Sequence, residues 1–352
     1  MKILFNSPIF NPTGISTAGR EYVKALDKLG VQVQTNDPWH STFDFNKGLE
    51  KFNNAIDVKD AVTLFWNYPF NWKDGHGKLF GGFVHEGTKL FPEWVDMINK
   101  ADVVWVPSNA VKRMFLFNGV NKKIYIIPHG TDFELYKPNN QPKTDSFVFL
   151  SINSWTGEIG DRKGTDLLIK AFDEEFKDED VRLMLKVSTF WQQPINVPSA
   201  IYNVLGHINE KIMFSTKYVP ESELVTYYQN ADVFVAPTRG EGFGLTILNA
   251  LASGLPVIAT KDNNSGHMDF CRANPGVLFV DAPTMAPADP RFYCPGNMQP
   301  VPSIESLRKQ MRWAYENRNK LPELGLKGRE FVKEFTWENS AKKIMDMINN
   351  ER

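Results

Sequence analysis

Residues 231–260 read ADVFVAPTRGEGFGLTILNALASGLPVIAT. A run of β-branched and aromatic residues, Val233–Ala236, stops at Pro237, whose ring nitrogen cannot donate to a sheet ladder. Gly240, Gly242 and Gly244 then crowd a turn, and an apolar segment of helical period begins near Leu245. A second apolar run, 256–260, follows Ser253-Gly254. Strand, glycine turn, helix, strand is a crossover unit, and it requires its two strands to be parallel. Glycines in the turn let the backbone approach a ligand closely, and the open N–H groups of a helix start favour an anion. Glu241, inside the turn, can accept hydrogen bonds from hydroxyls.

The same rhythm extends outward in both directions. Short apolar runs at Lys2–Asn6, Val62–Trp66, 82–85, Val103–Val106 and 124–127 alternate with amphipathic stretches at 17–29, 93–100 and Asn109–Phe117. Runs without polar alternation, separated by helices, predict a parallel sheet covered on both faces. The rhythm pauses at the polar stretch 136–145 (YKPNNQPKTD) and restarts with 147–152, Val181–Val187, 211–214, Val233–Ala236, 256–260 and Val277–Val280. This predicts an α/β protein of two Rossmann-like domains, 1–145 and 146–330. A Pro-rich surface loop is expected over 282–302, then helical stretches over 304–321 and from 323 onward. The last helix, within 331–352, carries Trp337, Ala341, Ile344, Met345 and Ile348 at near 3,4 spacing and is expected to pack back on the N-terminal domain. In open α/β sheets ligands bind outside the carboxyl ends of the strands, so function is sought in the loops that follow them.

Composition removes several alternatives. A length of 352 residues suggests two cores. A net charge of −1, from 40 basic and 41 acidic side chains, argues against nucleic acid as the partner. Cys271 and Cys294 form neither a disulfide framework nor a metal-ligand spacing, and thiols in a reducing compartment are expected. The opening MKILFNSP lacks a long apolar stretch, and no window offers about 18 uninterrupted apolar residues, so a cytoplasmic protein is expected. The first strand is not followed by G-x-G-x-x-G, nor by an acidic residue at the ribose position, which disfavours a nicotinamide-dependent oxidoreductase. The nine Trp either fill the cores or line a cleft.

The stretch 231–260 resembles the signature of retaining glycosyltransferase family 4, in which an E-x(7)-E pattern surrounds a Gly-Phe-Gly turn. The likeness extends upstream to Tyr218-Val219-Pro220, Glu223-Leu224, Tyr228 and Ala231-Asp232, and downstream to Pro275-Gly276-Val277-Leu278-Phe279. Looser similarity covers nearly the whole chain. The resemblance implies a GT-B fold, with an acceptor domain (1–145), a nucleotide-sugar donor domain (146–330) and a cleft between them. It assigns Glu241 to the transferred sugar, and the amides of Phe243, Gly244 and Leu245 to donor phosphate or sugar oxygens. Eight positions after Glu241, where the family holds the ribose with a second Glu, stands Asn249, which lacks the charge that strengthens such bonds.

Two adjacent cations in Asp161-Arg162-Lys163-Gly164, before a helix, suit a diphosphate, although a solvated charged turn has the same composition. The resemblance places the family's diphosphate lysine at Lys163. The Arg that normally accompanies it is replaced by Asn153-Ser154-Trp155, leaving Arg162 or Arg239 as substitutes. In the first domain, Gly14 of Asn11-Pro12-Thr13-Gly14 matches a glycine loop that gives phosphate access to the backbone. His85, in Phe83-Val84-His85-Glu86-Gly87, matches a histidine near the reacting sugar. His129 stands where the hinge-proximal Pro-Asn-Gly-x-Asp pattern has Asn.

The implied activity is transfer of a hexosyl group from a nucleotide-diphosphate sugar to an acceptor hydroxyl with retention at the anomeric carbon. Glu241 and His85 would be catalytic. The resemblance implies no metal and no cofactor beyond the donor substrate, and no Asp-x-Asp cluster stands out. A carbohydrate or other hydroxyl acceptor would be met by first-domain loops 39–47 and 67–78. Asn249 and the missing Arg leave open a non-catalytic nucleotide-sugar-binding or partner subunit. Residues 109–123 mix Lys112, Arg113, Lys122 and Lys123 with Met114, Phe115, Leu116 and Phe117. That mixture suits a core-packed helix with a basic end, or a weak peripheral membrane contact.

Overall fold

The computed structural model describes residues 1–351 except 40–47, 58, 73–74, 140–145 and 189–194. The chain divides into two compact units, Met1–Gly130 with Phe335–Arg352, and Thr131–Glu334. The division falls after Gly130, ahead of the stretch 136–145 in which the polar composition locates a boundary. Residues 140–145 of that stretch lie outside the described residues.

The first unit contains β1 (Lys2–Asn6), α1 (Gly14–Lys28), β2 (Gln32–Asn36), β3 (Val62–Trp66) and β4 (Leu79–Gly82). It continues with α2 (Pro92–Ile98), β5 (Val103–Val106), α3 (Asn109–Phe117) and β6 (Ile124–Ile126). The strands form a parallel sheet in the order β2-β1-β3-β4-β5-β6. β3 and β5 are buried at every position, as strands covered on both faces must be. The apolar run 82–85 is not a strand. The ladder uses Leu79–Gly82 instead, because side chains at Gly81 and Gly82 would collide with the rings of Trp72 and Trp105, while His85 lies beyond the strand end.

The second unit contains β7 (Phe147–Asn153), α4 (Thr165–Glu175), β8 (Val181–Val187), α5 (Val197–Leu205), β9 (Ile212–Ser215) and α6 (Glu221–Gln229). Then come β10 (Val233–Ala236), α7 (Leu245–Ala252), β11 (Val257–Thr260), α8 (Met268–Cys271) and β12 (Val277–Val280). Its parallel sheet runs β12-β11-β10-β7-β8-β9. The sequence direction of the strands reverses between β7 and β10. Such a switch point opens a crevice at the carboxyl ends of the two strands, because their following helices lie on opposite faces.

The expected surface loop 282–302 holds an antiparallel pair, β13 (Thr284–Pro287) and β14 (Met298–Val301). Three helices follow rather than two: α9 (Ile304–Glu316), α10 (Leu321–Phe331) and α11 (Trp337–Asn350). α11 belongs to the first unit. Its Ala341, Ile344, Met347 and Ile348 share a core with Tyr22 and Leu26 of α1 and with Ile3 and Phe5 of β1. Glu351 extends this attachment, accepting hydrogen bonds from Tyr125 (2.6 Å) and Lys123 (2.5 Å).

Candidate functional site

The two loops that leave the switch point of the second unit meet. The β7–α4 loop brings Lys163, whose Nζ lies 2.5 Å from Oε1 of Glu241 in the turn after β10. Both side chains are largely buried. Arg162 Nη1 stands 3.7 Å from the same carboxylate oxygen and donates to the Gly240 carbonyl at 2.7 Å. Burial alone would raise the Glu241 carboxyl, but the Lys163 and Arg162 charges outweigh it and hold the group below its ordinary value. Glu241 is therefore an anion at neutral pH. Among the described residues, its Oε2 makes no hydrogen bond.

A buried frame fixes this turn. Arg239 forks onto Asp166 in the first turn of α4, with Nη1–Oδ1 and Nη2–Oδ2 both 3.0 Å, and also donates to the Asp161 carbonyl. With its charge so committed, Arg239 is a scaffold residue rather than a substitute phosphate ligand, and Arg162 alone of the two suggested cations faces Glu241. The Arg239 amide bonds the Arg162 carbonyl at 2.7 Å, and the Thr238 hydroxyl bonds the carbonyls of Arg162 and Gly240. Gly164, at φ +67°, precedes α4 so closely that a Cβ would lie 2.0 Å from the Pro237 carbonyl oxygen. Only glycine meets both demands, and this contact holds the two loops together.

Gly244 is the N-cap of α7, at φ +98°, with no side chain capping the helix. Phe243 turns its ring inward onto Phe270, at 5.2 Å between centroids, and Leu245 opens the helix half-buried. The uncapped start of α7 thus follows directly on Glu241. On the far side, Gly266 donates to the Glu241 carbonyl at 2.6 Å, and the Glu241 amide reaches the Ser265 hydroxyl at 3.3 Å. His267 is fully buried, which holds its imidazole below the ordinary value and neutral. Its Nε2–H donates to the Thr260 carbonyl at 2.8 Å, leaving Nδ1 as an acceptor without a partner.

Asn249 lies one helical stretch further along α7, half-buried. Its Oδ1 accepts a hydrogen bond from the Thr131 hydroxyl at 2.8 Å. Sequence reasoning missed Thr131, Asp166, Ser265 and His267. Thr131 had a signal, since it stands in the Pro-His-Gly-Thr-Asp motif, but its partner is 118 residues away.

In the first unit, Gly14 is the exposed first residue of α1, after the N-cap Thr13, whose hydroxyl accepts from the Ser16 amide. His85 is buried after β4 between Phe83, stacked at 5.9 Å, and the edge of Trp94 at 5.4 Å. His129 is a core residue. Its Nδ1 shares a hydrogen bond with the Tyr22 hydroxyl at 2.6 Å, beside Trp66 and Trp337, and burial lowers its pKa to about 3. α3 buries Ala110, Val111, Met114 and Phe115 while leaving Leu116 and Phe117 exposed. Among the described residues no group of three His, Cys, Asp or Glu side chains is arranged to hold a metal, and no helix is long and apolar enough to cross a membrane.

Residues 152–288 match the family model described as glycosyl transferases group 1. The D-inositol 3-phosphate glycosyltransferase of Corynebacterium glutamicum (strain R) is 28% identical over 176 residues, 47% of this chain and 42% of that protein. The alpha-monoglucosyldiacylglycerol synthase of Streptococcus pneumoniae is 25% identical over 256 residues, 69% of this chain and 55% of the relative. The chain thus spans about half the length of these curated relatives. The solved structure of HepE from Anabaena, in complex with UDP and glucose, superposes with a TM-score of 0.70 at 14% identity, covering 99% of this chain and 100% of the other. Residues 152–288 are thus similar to the group 1 glycosyltransferases, and the chain has the GT-B fold of the solved structures it superposes on.

Proposed function

We propose that the chain transfers a hexosyl group from a nucleoside-diphosphate sugar to an acceptor hydroxyl, with retention at the anomeric carbon. The observation that carries this reading is the Lys163–Glu241 pair at the switch point. It sets a buried carboxylate with one unpaired oxygen beside two cations and an uncapped helix start. Glu241 Oε2 suits hydroxyl donors of a sugar, and Lys163, Arg162 and the amides around Phe243, Gly244 and Leu245 suit a diphosphate. In the reaction the acceptor oxygen bonds to the anomeric carbon as the bond from that carbon to the diphosphate oxygen breaks. The electron pair leaves with the diphosphate, which also takes up the acceptor's proton. The cations and helix amides stabilise the charge that grows on the leaving group without having to reorganise.

Asn249 is proposed to meet the ribose, and His85 and Gly14 of the first unit to serve the reacting sugar and the acceptor. The donor is read as substrate, with no further cofactor. The similarity to a D-inositol 3-phosphate glycosyltransferase and an alpha-monoglucosyldiacylglycerol synthase, and to the UDP- and glucose-bound HepE, supports a hydroxyl acceptor and a nucleotide-linked donor.

The test supplies a panel of nucleotide-sugars and hydroxyl acceptors and measures released nucleotide and glycosylated product. Lys163→Ala and Glu241→Ala are each expected to lower transfer by orders of magnitude. Near-wild-type transfer in both would sink the assignment, and donor binding without turnover across the panel would favour a non-catalytic subunit.

A further inference from the structure

One buried cation in the second unit has no role in the reading above. Lys186 is the penultimate residue of β8, at the carboxyl end of the sheet, and is 6% exposed. Its register partners are Ile152 on β7 and Ser215 on β9. Side chains alternate across a strand, so Lys186 shares a face with Met184, with Leu150 and Ile152 of β7, and with Phe234 of β10. Phe234 packs on Tyr228 of α6, and the Ser215 hydroxyl accepts a hydrogen bond from Tyr227 of the same helix. Lys186 therefore lies on the face covered by α6. The opposite face, with Leu183, Leu185 and Val187, packs into the core with α4 and α5.

Among the described residues the Lys186 ammonium makes no hydrogen bond and no ion pair. The opposite charge it feels is that of Glu223, in the first turn of α6, and burial holds its pKa below the ordinary lysine value. Lysines are almost never this buried unless paired, and an apolar side chain would fill the site at lower cost. The stem is buried while the ammonium keeps an opening to solvent, so it can donate to an acceptor from outside the protein.

We infer that Lys186 reads the base of the nucleotide donor by donating to a ring carbonyl oxygen; this rests on the function proposed above. The diphosphate groups, Lys163 and the start of α7, lie over β7 and β10. β8 is two strands from β10, about 10 Å at the usual strand spacing. It also shares its covered face with α7, since the Tyr228 hydroxyl of α6 bonds the Thr246 carbonyl. A nucleoside running from the diphosphate across the carboxyl ends of β7 and β8 brings its base to Lys186. An ammonium is a donor only. Uracil and guanine offer carbonyl oxygens, whereas adenine presents an amino donor in the corresponding place. The inference is a preference for uridine or guanosine diphosphates over adenosine diphosphate.

The experiment measures calorimetric affinities of the full chain for UDP, GDP, ADP and inorganic pyrophosphate, in wild type, Lys186→Met and Lys186→Gln. The wild type is expected to bind UDP or GDP at least tenfold more tightly than ADP. Lys186→Met is expected to lose that preference, weakening the favoured nucleotide tenfold or more and shifting ADP and pyrophosphate by less than twofold. Its melting temperature should match or exceed that of the wild type, since a desolvated charge is removed. Unchanged affinities, or an equal loss for pyrophosphate, would overturn the inference while leaving the function standing. Unfolding of both variants would show a structural lysine and overturn it too. A wild type that binds no nucleoside diphosphate overturns both readings.

Discussion

Replacing Arg239 with Met tests whether the Glu241 turn is held in place from beneath. The guanidinium is 7% exposed and the Asp166 carboxylate 2%. The substitution removes both arms of the fork and the bond to the Asp161 carbonyl, and leaves Asp166 with the Gly160 amide, at 3.0 Å, as its side-chain partner among the described residues. Breaking one side of a buried pair strands the other charge, at a cost of about 3–5 kcal/mol. At about 1.4 kcal/mol per factor of ten, 3 kcal/mol corresponds to roughly a hundredfold or more in the opening equilibrium. Native-state hydrogen exchange reads this in the right unit, because the slowest amides of β7 and β8 report its global opening. Their protection should fall by about two orders of magnitude in Arg239→Met, and by far less in the double variant Arg239→Met/Asp166→Leu, where no charge is stranded. Protection in the single variant within threefold of wild type, or a double variant as weak as the single, would refute the reasoning.

The remaining predictions concern the first unit. His129 has a folded pKa of about 3, so it takes up a proton on unfolding wherever the pH lies between that value and about 6.5. Its contribution is a loss of stability that begins as pH falls below about 6.5 and reaches on the order of 4 kcal/mol near pH 3. Urea unfolding of the wild type followed by the first unit's tryptophans should show this slope, and His129→Asn should flatten it; an equal slope in both proteins would count against the buried neutral imidazole. Leu116 and Phe117, 50% and 84% exposed beside Lys112 and Arg113, are proposed to give a weak contact with anionic membranes. Sedimentation with phosphatidylserine vesicles should be lowered severalfold by Leu116→Glu/Phe117→Glu, and equal sedimentation of variant and wild type would remove the proposal.

How much of this was legible in sequence follows from what each element buries. β3, β5 and β10 stood out because a strand buried on both faces is a nearly continuous apolar run. β2 was missed because QVQTN is an edge strand with an exposed, buried, half-buried pattern, close to that of a loop. β13 and β14 were hidden by prolines, which an edge ribbon tolerates and a central strand does not. Within the site, Gly244 was readable because the turn requires a glycine, whereas Glu241 and Lys163 were singled out by the family resemblance. The Arg239–Asp166 fork joins positions 73 apart, and Thr131–Asn249 positions 118 apart, so neither pairing leaves a local signal.

Asn249 shows how the two kinds of information combine. By sequence it is an amide where the family resemblance implies a charged acceptor. In the structure its Oδ1 accepts from the Thr131 hydroxyl and its side chain also hydrogen-bonds Tyr228, so the amide is held from both ends. A ribose proposed to meet Asn249 would find one further amide hydrogen and one further Oδ1 lone pair. An amide at this proposed contact would offer a donor as well as an acceptor, without a carboxylate's charge. Part of the work of discriminating donors would pass to other groups on the same sheet face, and Lys186 is the buried cation placed to take it.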